Sequence, residues 1–187
     1  MTVKIYGPAA SRAARALWIV HELGIPFEHV AMEMKDAKGA EYLKINPNGK
    51  VPALVDADLV VWDTLAIAEY LAEKFPDKQL WPADAKARAR ARSICAEMHS
   101  GFAALRSACP MNIEASLPEI GQLAWRDKPA VRADVARLVA MWSELLAQHG
   151  GPMLFGNFSV ADAYFAPVVM RLKTYALPVP EAIAAYM

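Results

Sequence analysis

Asn46-Pro47-Asn48-Gly49-Lys50-Val51-Pro52-Ala53-Leu54 is the stretch on which the reading of the first half turns. Asn-Pro and Asn-Gly are turn dipeptides, and the apolar run from Val51 to Val55 reads as a strand leaving that turn. Asp56-Ala57-Asp58 reverses the chain into a second run, Leu59 to Trp62, and the two make a hairpin. By itself this is a turn feeding a strand. Its neighbours give it more meaning.

Upstream, Val3 to Tyr6 is a short strand ended by Gly7-Pro8. From Arg12 to Leu23, Ala13, Ala16, Leu17, Val20 and Leu23 recur at helical spacing, and Gly24 stands where a helix C-cap belongs. Phe27 to Met32 alternates as a second strand, and a weaker helix covers Ala40 to Leu43. Downstream of the hairpin, Thr64 to Phe75 is a helix with Leu65, Ala68, Leu71, Ala72 and Phe75 on one side. The order is βαβ followed by αββα.

The character changes at Phe75-Pro76-Asp77 and Leu80-Trp81-Pro82. Beyond them no strand pattern appears. Ala83 to about Ala108 reads as one long helix, Pro129 to His149 as another, and Ser159 opens a third. The expected fold is α/β plus all-α: a βαβαββα domain over 1–76, a linker over 77–84 and an all-helical domain over 85–187.

Composition narrows the function. Of 187 residues, 56% are hydrophobic and 21% charged, which describes a folded, soluble chain with a real core. Twenty basic and 20 acidic residues cancel, against the basic excess expected of a nucleic-acid binder. Lys86-Ala87-Arg88-Ala89-Arg90-Ala91-Arg92 lacks interleaved aromatics and reads as a solvated helix face. No apolar run is long enough to span a membrane, and the strand beginning at Val3 leaves no room for a signal-peptide core. Cys95 and Cys109 are too few for a disulfide scaffold or a zinc site, so a reducing, cytoplasmic home fits. His21, His29, His99 and His149 show no ligand spacing, and no metal is expected.

Two helix starts carry possible chemistry. Ser11 precedes the first helix, where a serine serves as a plain N-cap but its hydroxyl could also donate to a sulfur. A thiol of pKa about 8.5 is only a few per cent ionised at neutral pH, and the thiolate is the nucleophile. A hydroxyl together with the positive end of a helix could lower that pKa by ~2 pH units, roughly 3 kcal/mol. No second cysteine flanks this loop, which excludes Cys-x-x-Cys redox chemistry. Asp63-Thr64 caps the third helix, whose N–H groups form an anion site beside a carboxylate able to hold an ammonium. Ser159-Val-Ala-Asp162 is a capping box in outline and reads as structural.

These residues together resemble the soluble, cytosolic glutathione S-transferases over essentially the whole chain. The resemblance is carried by Tyr6-Gly-x-x-x-Ser11, Gly24-Ile-Pro-Phe-Glu28, Asn46-Pro-x-Gly-Lys-Val-Pro-Ala-Leu54, Trp62-Asp-Thr-x-Ala-Ile-x-Glu-Tyr-Leu71 and Ser159-Val-Ala-Asp-Ala163. Ala96-Glu-Met-His-Ser-Gly-Phe-x-Ala-Leu-Arg106 with Pro110-Met-Asn112 is similar to a bacterial branch.

The resemblance implies a thioredoxin-like first domain with a cis bond at Val51-Pro52, glutathione as co-substrate, a small hydrophobic electrophile, a detoxifying role and a homodimer. A cis bond there would leave the backbone of Val51 outside the ladder, to pair with the cysteinyl part of the peptide. Ser11 becomes the thiol activator, with Tyr6, where tyrosine-type members carry their phenol, as the alternative. Asp63 and Thr64 would hold the γ-glutamyl end and Lys50 the glycyl carboxylate. His99, Phe102 and Met111 are candidates for the hydrophobic substrate, expected between the halves. The pair after the hairpin is Asp-Thr where the family has an acid and a serine. Members usually run on past this chain's last residues, which implies a truncated or unusually short end. A maleylacetoacetate-type isomerase, with Arg12, Arg15 and Arg106 to meet a dicarboxylate, and a non-catalytic scaffold are the competing readings.

Overall fold

The computed structural model describes residues 2–187; Met1, the first residue of the N-terminal segment read above, lies outside them. The chain forms two compact units, 1–81 and 82–187. The first holds strands β1 (Val3–Tyr6), β2 (Phe27–Val30), β3 (Ala53–Asp56) and β4 (Leu59–Trp62), with helices α1 (Ala13–Glu22), α2 (Ala40–Ile45) and α3 (Thr64–Lys74). The sheet order is β2-β1-β3-β4, with β2 parallel to β1 and the other neighbours antiparallel. This is the expected thioredoxin-like βαβαββα order.

The local chemistry explains the elements. In α1 the spacing puts Ala13, Ala16, Ile19 and Val20 on the buried face. Val3 and Ile5 alternate inward on β1, and Ile5 lies opposite Leu54 of β3, all three fully buried. In the hairpin, Ala57 takes a left-handed φ of 54° between the paired Asp56 and Leu59. Asp56 is buried, and its carboxylate is held by the Tyr70 hydroxyl and the Lys74 ammonium of α3. The hairpin and the helix that follows it are thereby locked together.

The second unit is helical: α4 (Ala85–Ser100), α5 (Ala103–Ala108), α6 (Pro118–Asp127), α7 (Pro129–His149), α8 (Val160–Thr174) and α9 (Glu181–Tyr186). One expectation is corrected here, and one helix is added to those expected. The single helix read from 83 to 108 is two, because Phe102 is left-handed at φ 54° after Gly101. The break is stabilised on both sides: Arg106 Nη1 donates to the carbonyls of His99 and Gly101, and Asp134 accepts from the Leu105 amide at 2.9 Å. The helix α6 was not read from the sequence, and Gly121 lies within it. The structure shows why that glycine is there, since a Cβ would sit 1.7 Å from the Tyr175 carbonyl oxygen.

The capping box at the start of α8 is present and more deeply embedded than the sequence suggests. The buried Asp162 carboxylate accepts from the amides of Leu154 (3.1 Å) and Ser159 (2.9 Å), the Ser159 hydroxyl (3.2 Å) and the Tyr186 hydroxyl of α9 (3.2 Å). Burial nevertheless pushes its carboxyl above the usual carboxylate range. Trp142 of α7 packs edge-on against Phe165 and Tyr186, at 5.4 and 5.3 Å between ring centres. Asp162→Ala strands several buried donors, so urea unfolding should show a loss of about 3 kcal/mol; a loss below about 1 would mean the node is dispensable.

Candidate functional site

Register decides what comes together. Tyr6, the last residue of β1, lies opposite Ala53, the first of β3, and Ala53 lies opposite Trp62, the last of β4. Segments 7–11, 50–52 and 63–64 therefore leave the same end of three adjacent strands. With strands about 4.8 Å apart, the row is about 10 Å wide.

In the first segment, the Ser11 hydroxyl donates to the Pro8 carbonyl at 2.6 Å and accepts from the Ala13 amide at 3.1 Å. Arg12 takes the N-cap position, and Ser11 satisfies the amide one residue further on. Ser11 is half-buried at the positive end of α1. Gly7, at φ 144°, brings this loop against the next segment: a Cβ there would lie 2.9 Å from that of Ala13 and 3.2 Å from that of Val51. His29 Nε2 lies 2.8 Å from the Gly7 carbonyl, to which its Nε2–H tautomer donates.

In the second segment, Val51-Pro52 is cis, and Val51 precedes the paired residues of β3. What holds it is a backbone clamp on Lys50. The Lys50 carbonyl accepts from the Tyr42 hydroxyl (2.7 Å) and the Asn46 amide group (2.8 Å), and the Lys50 N–H donates to Asn48 Oδ1 (2.7 Å). Asn46 is fully buried, so its side chain needs the partners it finds here. The Lys50 side chain is left exposed.

In the third segment, Asp63 adopts φ 73° and caps α3, accepting from the Leu65 amide at 2.8 Å. A non-glycine residue held at positive φ is a mark of a constrained site. Beside it Thr64 is 2% exposed, and its Oγ1 lies 3.5 Å from Nη1 of Arg15, which is 3% exposed on α1.

The alternative Tyr6 points its ring at Tyr42 of α2, 6.3 Å between centres. Both line a cleft of about 600 Å³ with Val30, Met32 and Ile45. His99, Phe102 and Met111 belong to the second unit. His99 and Phe102 flank the α4–α5 break, with Phe102 only 6% exposed as a core residue, and Met111 follows α5. Among the described residues, no group of three or more His, Cys, Asp or Glu side chains is placed to hold a metal.

Sequence reasoning missed Arg15 and Tyr42 as contributors. Arg15 had a signal, because it shares a helix face with Ile19, four residues on. Tyr42 had none, since its partner Lys50 is met only through the tertiary turn.

A thioredoxin-like unit with three loop segments leaving one sheet end, followed by a helical unit, defines the class by its architecture: a two-domain, thioredoxin-like plus all-helical protein. The family model described as glutathione S-transferase, N-terminal domain, matches residues 1–73, and the C-terminal domain model matches 85–187. This chain belongs to the glutathione S-transferase family. Glutathione S-transferase 1 of Dianthus caryophyllus is 32% identical over 169 residues, 88% of this chain and 74% of that protein. Glutathione S-transferase hmp2 of Hypomyces subiculosus is 31% identical over 184 residues, covering 94% and 84%. Poplar glutathione transferase F1 shares the fold with a TM-score of 0.76 over 100% of this chain and 90% of that one, at 24% identity.

The clamp yields a test. Asn46→Ala leaves the part-buried Lys50 carbonyl one donor short and should cost about 1 kcal/mol of stability in urea unfolding. It should also weaken glutathione binding measured by calorimetry; an unchanged affinity would separate the clamp from the site.

Proposed function

We propose that this transferase binds glutathione along the Tyr6–Ala53–Trp62 row and activates its thiol with Ser11 for attack on a small hydrophobic electrophile. The observation that carries the reading is the register, which sets three segments of complementary chemistry side by side. The γ-glutamyl end carries an ammonium and a carboxylate; Asp63 suits the first, the α3 N-terminus and Thr64 the second. The cysteinyl backbone pairs with Val51, and exposed Lys50 meets the glycyl carboxylate.

The chemistry asks little of the protein. The thiol proton leaves to water, the thiolate attacks the electrophilic carbon, and a C–S bond forms as the leaving group departs or a double bond accepts the electron pair. Ser11 stabilises the anion: its hydroxyl proton turns from the neutral Pro8 carbonyl to the charged sulfur, a stronger acceptor. Tyr6, packed on Tyr42, has a structural role in this reading. His99 and Met111, both half-buried, retain surface for contact with an electrophile.

The isomerase reading loses support from its own residues. Arg15 is buried against Thr64 and Arg106 bridges the α4–α5 break, leaving Arg12 as the exposed one of the three. For assembly, β4 is the outer strand of the sheet and exposes Leu59 (44%) and Trp62 (45%), which supports a homodimer. The buried thiols Cys95 and Cys109 suit a reducing, cytoplasmic setting.

Two measurements check this. Ser11→Ala should lower kcat/KM with an activated chloronitrobenzene about a hundredfold, Ser11→Thr should retain most of it, and Tyr6→Phe should change it by less than about threefold. Collapse in Tyr6→Phe with little loss in Ser11→Ala would transfer the role to the phenol. Light scattering at micromolar concentration should give twice the 20.5 kDa chain mass, falling towards one chain in Leu59→Glu; a wild-type monomer contradicts the dimer.

A further inference from the structure

We propose that His29 is a positioning residue for Ser11, setting the activating hydroxyl through the backbone of Gly7; this rests on the glutathione reading above. The pairing of β1 with β2 ends at Tyr6 and Val30. One step further on, buried Gly7 is held by β2 at both of its backbone groups. Its N–H donates to the Val30 carbonyl at 3.3 Å, and its carbonyl accepts from His29 Nε2 at 2.8 Å. A carbonyl only accepts, so Nε2 carries a proton in this contact. Gly7 needs the restraint, because glycine has more backbone freedom than any other residue and here stands at φ 144°. A side chain is shut out by Ala13 and Val51, which leaves hydrogen bonds to fix it.

Gly7 also begins the turn that carries Ser11. Its carbonyl and the Pro8 nitrogen share one planar peptide group, so the direction of that carbonyl sets the plane from which Pro8 starts. The proline ring then fixes φ, and one soft dihedral remains at that residue. Beyond it the turn closes on itself: the Pro8 carbonyl accepts from the Ser11 amide at 3.2 Å and from the Ser11 hydroxyl at 2.6 Å. The hydroxyl in turn accepts from the Ala13 amide at 3.1 Å, which ties the turn to α1. A shift of the Gly7 carbonyl is thereby passed on to the Ser11 oxygen. Hydrogen bonds weaken steeply off their axis, so thiol activation is sensitive to such a shift. The two ends of the peptide are met by Asp63, Thr64 and Lys50, on other segments of the row. His29 touches no ligand atom. It sets the loop whose hydroxyl does.

Three substitutions and two readouts separate positioning from general damage. His29→Gln puts an amide nitrogen where Nε2 sits, His29→Asn stops short of the Gly7 carbonyl, and His29→Phe keeps a ring without a donor. The first readout is the ultraviolet titration of the bound glutathione thiolate. The second is calorimetry with S-methylglutathione, whose sulfur cannot ionise. His29→Phe and His29→Asn should raise the thiolate titration by ~1 pH unit, a tenfold loss of thiolate, with His29→Gln within ~0.3 pH units of wild type. S-methylglutathione affinity should stay within about twofold of wild type in all three. If His29→Phe does not fold, the contrast between His29→Gln and His29→Asn decides. Wild-type titration in His29→Asn and His29→Phe, an equal loss in His29→Gln, or a tenfold loss of S-methylglutathione affinity overturns the proposal. A thiolate shift that depends on Ser11 and ignores His29 removes the proposal alone. A wild-type complex with no shift, or one that Ser11→Ala leaves intact, removes the role of Ser11 as well.

Discussion

The pairing of β1 with β3 and of β3 with β4 is the constraint on which the site depends. Because side chains alternate with a period of two, a slip of one residue would turn Leu54 outward and move every loop at that end of the sheet. The buried pair Ile5 and Leu54 holds the register from inside, and the Lys50 clamp holds it from the turn. Gly7 leaves no room for a side chain between Ala13 and Val51, which keeps the two segments close. Three stretches distant in sequence become one surface because the strands end in line.

The groups that shape this surface are mostly not the ones that would touch a ligand. Tyr42, Asn46 and Asn48 act on the backbone of Lys50, His29 on the carbonyl of Gly7, and Arg15 on the hydroxyl of Thr64. Buried polar contacts of this kind stabilise the fold only modestly but are expensive to leave half-made. They fix loop geometry in a way that apolar packing alone does not. In the helical unit the Asp162 carboxylate has a comparable role, gathering donors from the loop before α8, the start of that helix and the last helix.

Much of this was legible in the sequence. The turn at Asn46–Gly49, the hairpin residues and the α1 periodicity are local signals, and they gave the strand and helix order of the first unit. The Ser159–Asp162 box was legible for the same reason. What escaped reading depended on tertiary contact. Gly121 has no visible purpose until the Tyr175 carbonyl is seen against it, and the Gly101–Phe102 break is held by the nearby Arg106 and by Asp134 from α7. Arg15 was read only as a cation that an isomerase could use, because its contact with Thr64 lies 49 residues away. Tyr6 was ambiguous from spacing alone, and its ring is found against Tyr42.

In the proposed mechanism the Ser11 hydroxyl makes a thiolate of bound glutathione. The most direct measurement is the ultraviolet absorbance of the bound thiolate as a function of pH, in wild type and in Ser11→Ala. The wild-type complex should titrate ~2 pH units below unbound glutathione, and the variant complex close to the unbound value. A wild-type complex that titrates like glutathione in solution, or a variant that keeps the full shift, would contradict it.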